Sequence, residues 1–189
     1  MLKHSDLFDE LPEKFYDSAF LDRIHFYIPG WEVDIIRGEM FSSGYGFVVD
    51  YLAEILRSLR NHDYSDRYKD YFSLSSDIST RDRDGINKTF SGLMKILFPH
   101  DGASKEEIED LLKFAIEGRK RVKDQLMRID STYGKVRFTY EDKNGQAKSV
   151  TTLEEEEHPH YYYKTVGEGE DETAADQSGP TNAGSDSSQ

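Results

Sequence analysis

The stretch from residue 104 to 129 constrains the fold more than any other. Ser104-Lys105-Glu106-Glu107 is a capping box, in which the serine and Glu107 satisfy each other's otherwise unpaired amides at a helix start. Ile108, Leu111, Leu112, Ala115, Ile116, Val122, Leu126 and Ile129 then form one apolar stripe at helical spacing. Acids crowd the first turns, and Arg119, Lys120, Arg121, Lys123 and Arg128 crowd the last, as the helix dipole favours. A helix with one apolar face needs partners to cover that face. Residues 46–61 offer one, with Phe47, Val48, Tyr51, Leu52, Ile55, Leu56 and Leu59 in phase. Residues 66–72 predict a short aromatic helix, with Ser65 as N-cap and Tyr68, Tyr71 and Phe72 inward. Ile86, Thr89, Phe90, Leu93, Met94 and Leu97 repeat the period until Pro99 ends it. The expected architecture is mainly α, a four-helix bundle.

Two short β segments flank it. Ile24-His25-Phe26-Tyr27-Ile28, closed by Pro29-Gly30, predicts one strand followed by a turn. After the bundle, Val136, Phe138 and Tyr140 alternate with Lys135, Arg137 and Thr139. Asn144-Gly145 is a turn signal, and residues 147–153 return as the second arm of a hairpin. An isolated hairpin is marginal in water, so it is expected to dock on the bundle or on a partner. From about residue 167 onward the Gly/Glu/Ser/Asp run has too little apolar content to offset the entropy of ordering it, and predicts disorder.

Charge is distributed unevenly. The chain carries 37 acids and 24 bases, a net of −13. Residues 1–150 hold 27 acids and 23 bases, while residues 151–189 hold ten acids and one base, Lys164. The bundle is nearly neutral and the tail is acidic, so the total argues only weakly against nucleic acid. No apolar run approaches the roughly 20 residues of a membrane helix. The N-terminus lacks the layout of a signal peptide, which makes a cytoplasmic location the default expectation. With no cysteine there is no disulfide framework, thiolate metal cluster or thiol nucleophile.

Familiar catalytic motifs are missing: no phosphate-binding Gly-x-x-x-x-Gly-Lys-Ser/Thr, no Gly-x-Gly-x-x-Gly, no His-Glu-x-x-His and no Gly-x-Ser-x-Gly. Gly44-Tyr45-Gly46 is too short to cradle a phosphate and reads more simply as the approach to the following helix. Arg23 stands at the edge of the predicted strand, where its fork can reach a phosphate or carboxylate. The plainer reading is a salt bridge with Asp22 or Glu32. Arg81-Asp82-Arg83-Asp84-Gly85-Ile86-Asn87-Lys88 opens the third helix. It is either a phosphate site at a helix N-terminus or a self-neutralising charge run. Residues 113–137 carry eight bases and three acids, a face that can meet a nucleic-acid backbone or simply pair with acids elsewhere. His158-Pro159-His160, beside four glutamates, has metal-ligand residue types but no evident rigid support, and no metal site is assigned.

Leu21-Asp22-Arg23-Ile24, a short strand and four helices with a base near the start of the third resemble the second half of an AAA+ ATPase module. More closely, Leu21-Asp22-Arg23-Ile24-His25-Phe26-Tyr27-Ile28-Pro29-Gly30-Trp31 resembles BrxL-like proteins, the Lon-like AAA+ family of BREX phage-resistance systems. So do residues 45–54, Lys88-Thr89-Phe90-Ser91-Gly92-Leu93-Met94-Lys95, and Glu117-Gly118-Arg119-Lys120-Arg121-Val122-Lys123, in order across about residues 5–140.

The resemblance implies a domain plan: residues 1–30 as a remnant of the AAA+ core, 31–130 as the helical lid, 131–153 as the hairpin, and 154–189 as an acidic tail. It implies Arg23 as an arginine finger acting on ATP held by a neighbouring subunit. It also implies Lys88, or failing that Arg81, as the second sensor of ATP phosphate, although Asn87 stands where the family often has a base. Such proteins carry a Walker A loop, Walker B acids and a Lon-protease-like domain outside this stretch. The expectation is therefore a truncated or split protein, with Met1 not the ancestral start. It would be inactive alone, with ATP and magnesium entering only in a completed assembly. Implied partners are other AAA+ or BrxL-like chains, as homo- or hetero-oligomer, and through the family DNA. The alternatives are a stand-alone interaction module on an AAA+ partner and a weak nucleic-acid-binding module.

Overall fold

The computed structural model describes Leu7, Phe8 and residues 11–157. Five helices and three strands follow in order: α1 (Ser18–Leu21), α2 (Val49–Leu59), β1 (Phe72–Leu74), α3 (Thr80–Leu97), α4 (Lys105–Ile129), β2 (Thr139–Asp142), β3 (Ala147–Ser149) and α5 (Leu153–Glu157). The mainly helical expectation with a hairpin holds. The capping box forms as read, with Ser104 Oγ accepting from the Glu107 amide at 3.2 Å and the Glu107 carboxylate accepting from the Ser104 amide at 2.7 Å.

α3 and α4 are the framework. Ile86, Phe90 and Met94 of α3 meet Ile108, Leu112, Ala115 and Ile116 of α4 in a core completed by Tyr68, Phe72, Leu74, Phe138 and Tyr140. Tyr68 stands edge-on to Phe90, and Phe72 edge-on to Tyr140, with centroids 5.3 Å and 5.6 Å apart. These pairings add specificity to burial that is already favourable by area alone. A second, smaller core sits on the other half of α4, where Val122 and Leu126 meet Phe8 and Leu21.

Element by element, the details depart from the sequence expectation. The predicted helix over 66–72 is a single 3-10 turn, Arg67–Asp70, which runs directly into β1. Ser65 does not cap it; its amide instead donates to Asp63 at 2.9 Å. β1 pairs antiparallel with β2, and β2 with β3, giving a three-stranded sheet in the order β1-β2-β3. The hairpin therefore docks on the helical body through β1. Gly145, at φ 77°, supplies the left-handed residue that the predicted Asn144-Gly145 turn requires.

The predicted strand over 24–28 has no ladder. Those residues form no regular element and lie across α3 and α4, with one backbone bond to the helices, from the Tyr27 amide to the Gly118 carbonyl at 3.2 Å. Apolar alternation specifies an extended chain with a buried side; here two helices, rather than a neighbouring strand, receive it. The segment fits because each helix carries a glycine beneath it. A Cβ on Gly118 would stand 2.1 Å from the Phe26 ring, and one on Gly85 would stand 3.5 Å from the His25 backbone.

α2 forms where the periodicity places it, yet none of its residues is buried. Of the 19 exposed large hydrophobic residues among those described, 13 fall between Trp31 and Leu56.

Candidate functional site

Arg23 follows α1, whose N-terminus is capped by Asp17 accepting from the Phe20 amide at 3.0 Å. Its side chain is exposed and donates to the Ala19 carbonyl. It pairs with neither Asp22 nor Glu32; both carboxylates are engaged by other arginines. Asp22 is 5 % exposed, and its two oxygens are divided. Oδ1 accepts from Arg119 Nη2 at 2.6 Å and Oδ2 from Arg81 Nη1 at 2.6 Å.

Arg119 is wholly buried. Its Nε donates to Asp82 Oδ1 at 2.8 Å, and its Nη1 donates to the carbonyls of Asp22, at 3.0 Å, and Ile24. Asp82, also fully buried, is oriented by the Ser79 cap of α3 and lies 3.3 Å from Lys123 Nζ. A buried arginine is tolerable only where its donors all find acceptors, and this one has two carboxylates and two carbonyls.

Sequence reasoning missed this arrangement. The Arg81-Asp82-Arg83-Asp84 run is not one charge patch but four separate tasks. Arg81 reaches Asp22, Asp82 holds Arg119, Arg83 donates to the Ser75 carbonyl at 3.0 Å, and Asp84 pairs with Lys88 at 2.7 Å. The pairing with Asp22 also raises the pKa of Arg81, which keeps it charged.

Lys88 lies two turns beyond Arg81 on α3 and is exposed. It borders an open cleft of about 450 Å³ shared with Arg60, His62, Asp63, Asn87 and Lys95. The ammonium also faces His25. Burial first, and then Lys88, hold the imidazole pKa below its ordinary value, so His25 favours the neutral form. The structure thus brings Arg81 to the residue beside Arg23 and sets Lys88 in a separate cleft along the same helix.

In the basic segment of α4 the plainer alternative, pairing with acids elsewhere, holds for the buried bases. Arg119, Lys120, Arg121 and Lys123 are 0 %, 5 %, 2 % and 7 % exposed, so half of the eight bases in 113–137 do not form a nucleic-acid face. Arg121 sits among three carboxylates: Glu154 at 3.1 Å, Glu117 at 2.8 Å and Glu32. Lys120 holds Asp124 at 2.6 Å and Glu155 at 2.7 Å. The four-glutamate run is accordingly no simple solvated stretch, since Glu154 and Glu155 are 2 % and 6 % exposed and anchor α5 to α4. A signal was present for one of them: Arg119 stands seven residues before Leu126, two turns away along nearly the same line of the helix, so burial of Leu126 draws it inward.

Among the described residues no group of three or more His, Asp or Glu side chains is placed to hold a metal ion. His158 and His160, with the segment expected to be disordered, lie outside the described residues. No helix among those described is long and apolar enough to cross a membrane. Arg23 and Lys88 are thus exposed cationic groups, and the backbone on either side of Arg23 is bonded to buried Arg119.

A family model described as "Lon-like protease BrxL-like, ATPase domain" matches residues 1–139. The chain is similar to the Lon-like protease BrxL of Bacillus cereus (strain H3081.97), with 43% identity over 158 residues, 82% of this chain and 23% of that protein. It is also similar to the Lon-like protease BrxL of Escherichia coli O9:H4 (strain HS), with 39% identity over 143 residues, 75% of this chain and 21% of that protein. The chain spans less than a quarter of the length of these curated relatives.

Proposed function

Because the chain belongs to the BrxL-like family of Lon-like proteases and matches its ATPase domain, we propose that it serves as one part of an ATP-dependent BrxL-like assembly, presenting Arg23 to nucleotide phosphate held by another chain. The observation that carries this reading is the placement of Arg23. It is exposed and, among the described residues, paired with no carboxylate, yet Arg119 holds the carbonyls of the residues on both sides of it. A guanidinium on a fixed stem is what stabilising charge on a transferring phosphoryl group requires. On this reading ATP and magnesium would be held by the partner chain. Lys88, with Arg81 beside Asp22, would supply further positive charge toward the phosphates. On this reading the assembly acts in the cytoplasm in BREX anti-phage defence.

The test mixes the purified chain with a BrxL-like polypeptide that supplies the Walker loops and stops where this chain begins. ATP hydrolysis is expected to appear with the mixture and to fall by about 10³-fold or more with Arg23→Ala. No gain of hydrolysis from the wild-type chain would overturn the proposal.

A second reading has its own support: an interaction module that docks on an AAA+ partner without taking part in hydrolysis. The exposed apolar segment from Trp31 to Leu56 favours it. Binding of the same polypeptide with hydrolysis unchanged by Arg23→Ala would select this reading.

A further inference from the structure

Three contacts from one guanidinium, two to backbone carbonyls and one to a carboxylate, converge around a single residue. Arg119 Nη1 donates to the carbonyl of Asp22, at 3.0 Å, and to that of Ile24, the residues on either side of Arg23. Its Nη2 holds the Asp22 carboxylate at 2.6 Å. The peptide before Arg23 and the one after Ile24 are thus tied to a buried guanidinium, and the peptide between them is held by the Ile24 amide donating to the Leu21 carbonyl at 3.0 Å. Asp82 takes Nε at 2.8 Å and Nη2 at 2.7 Å from the opposite side, and Gly85 of α3 packs 3.3 Å from Arg119 Cδ by its would-be Cβ. Among the described residues the Arg23 side chain makes no ion pair that would orient it; its one bond there is local, to Ala19.

With the peptides on both sides of Arg23 held in this way, the direction in which its side chain leaves the backbone is held too. We propose that Arg119 is a positioning residue for Arg23, setting the direction of its guanidinium toward an anionic ligand of the phosphate class. This deepens the trans-acting role proposed for Arg23 and rests on it. Only arginine has the fork to hold two carbonyls and two carboxylates at once. Lysine keeps the charge and loses the geometry. A purely structural Arg119 would contribute to stability alone and would not distinguish Arg23 from other exposed arginines.

The test has two arms. In the ¹⁵N-labelled full chain, the Nε–Hε resonance of Arg23 is followed in Arg119→Lys, with Arg57, exposed on α2, as the control. Movement of the Arg23 resonance to its unfolded-chain position, with Arg57 unmoved, is expected; an unmoved Arg23 resonance overturns the proposal. Where circular dichroism shows that Arg119→Lys does not fold, Asp22→Asn takes its place with the same two outcomes.

In the mixture with the Walker-loop polypeptide, Arg119→Lys is expected to lower kcat for ATP at least about tenfold with KM within about twofold. It should add nothing in an Arg23→Ala background. Losses that multiply independently overturn the positioning role. If the wild-type mixture hydrolyses no ATP, the function proposed for Arg23 fails, and the resonance arm decides the role of Arg119 by itself.

Discussion

Asp124 stands on the buried side of α4, with Lys120 one turn before it and Glu155 across from it. Burial pushes its carboxyl up to about 6, against the pull of Lys120. Between its ordinary value of 3.8 and about 6, the folded chain therefore holds a proton that the unfolded chain has released. That contribution to stability is full at low pH and is lost as pH rises through about 6. Asp124→Asn is expected to flatten the change of the urea midpoint between about pH 4 and 7, and a profile parallel to wild type would count against it. Glu117 shares the direction, raised by burial with Arg121 opposing, so the flattening should be partial. At this scale the sequence was legible for residues with local partners, such as Ser104 with Glu107. Asp22, Asp82 and Glu154 find their arginines 97, 37 and 33 positions away, and no spacing rule reaches that far.

Among the elements, α4 is the common support. Its first half holds the main core and its second half holds the N-terminal segment, α5 and every buried base. Glycine within a helix costs about 1 kcal/mol relative to alanine, so Gly118 needs a reason, and the Phe26 ring lying 2.1 Å from where a Cβ would sit is that reason. Gly118→Ala is expected to lower stability by about 1–3 kcal/mol in spite of the better helix propensity, measured by urea denaturation. Phe26 would lose its packing on Phe114, now at 5.0 Å between centroids. At the far end, Glu154→Gln removes one of three carboxylates from Arg121 and should cost about 1–3 kcal/mol. Limited proteolysis near residues 150–157 should quicken with it; an unchanged cleavage rate would show that α5 is held by something else. The long helices were readable because their periodicity runs over four turns or more. The 66–72 segment misled because Tyr68, Tyr71 and Phe72 suit a helix face and a pleated surface alike, and only pairing with distant β2 decides between them.

Taken whole, the molecule is unevenly covered. α3, α4 and the sheet bury their apolar residues, while Tyr51, Leu52 and Leu56 of α2 remain open to water. The periodicity of α2 was correct and its assignment to the bundle was not, since an amphipathic pattern says that a face will be covered but not by which chain. Leu52→Asp and Leu56→Asp should leave the melting temperature of the chain within about 2 °C of wild type, as surface changes do. The same two substitutions should abolish co-sedimentation with the Walker-loop polypeptide. Loss of thermal stability instead would mean that α2 is already packed in the free chain.

The sheet has a consequence for how the chain comes together. β1 ends at Leu74 and receives its neighbour only from Thr139 onward, after both long helices have been made. During synthesis Phe72 and Leu74 must wait without their strand partner while α3 and α4 emerge, so closure of the sheet is a late event in folding. The family match ends at residue 139, where β2 begins. A chain cut at that boundary would keep β1 and discard the strand that completes it, so the segment matched by the ATPase-domain model and the folded sheet do not share an edge.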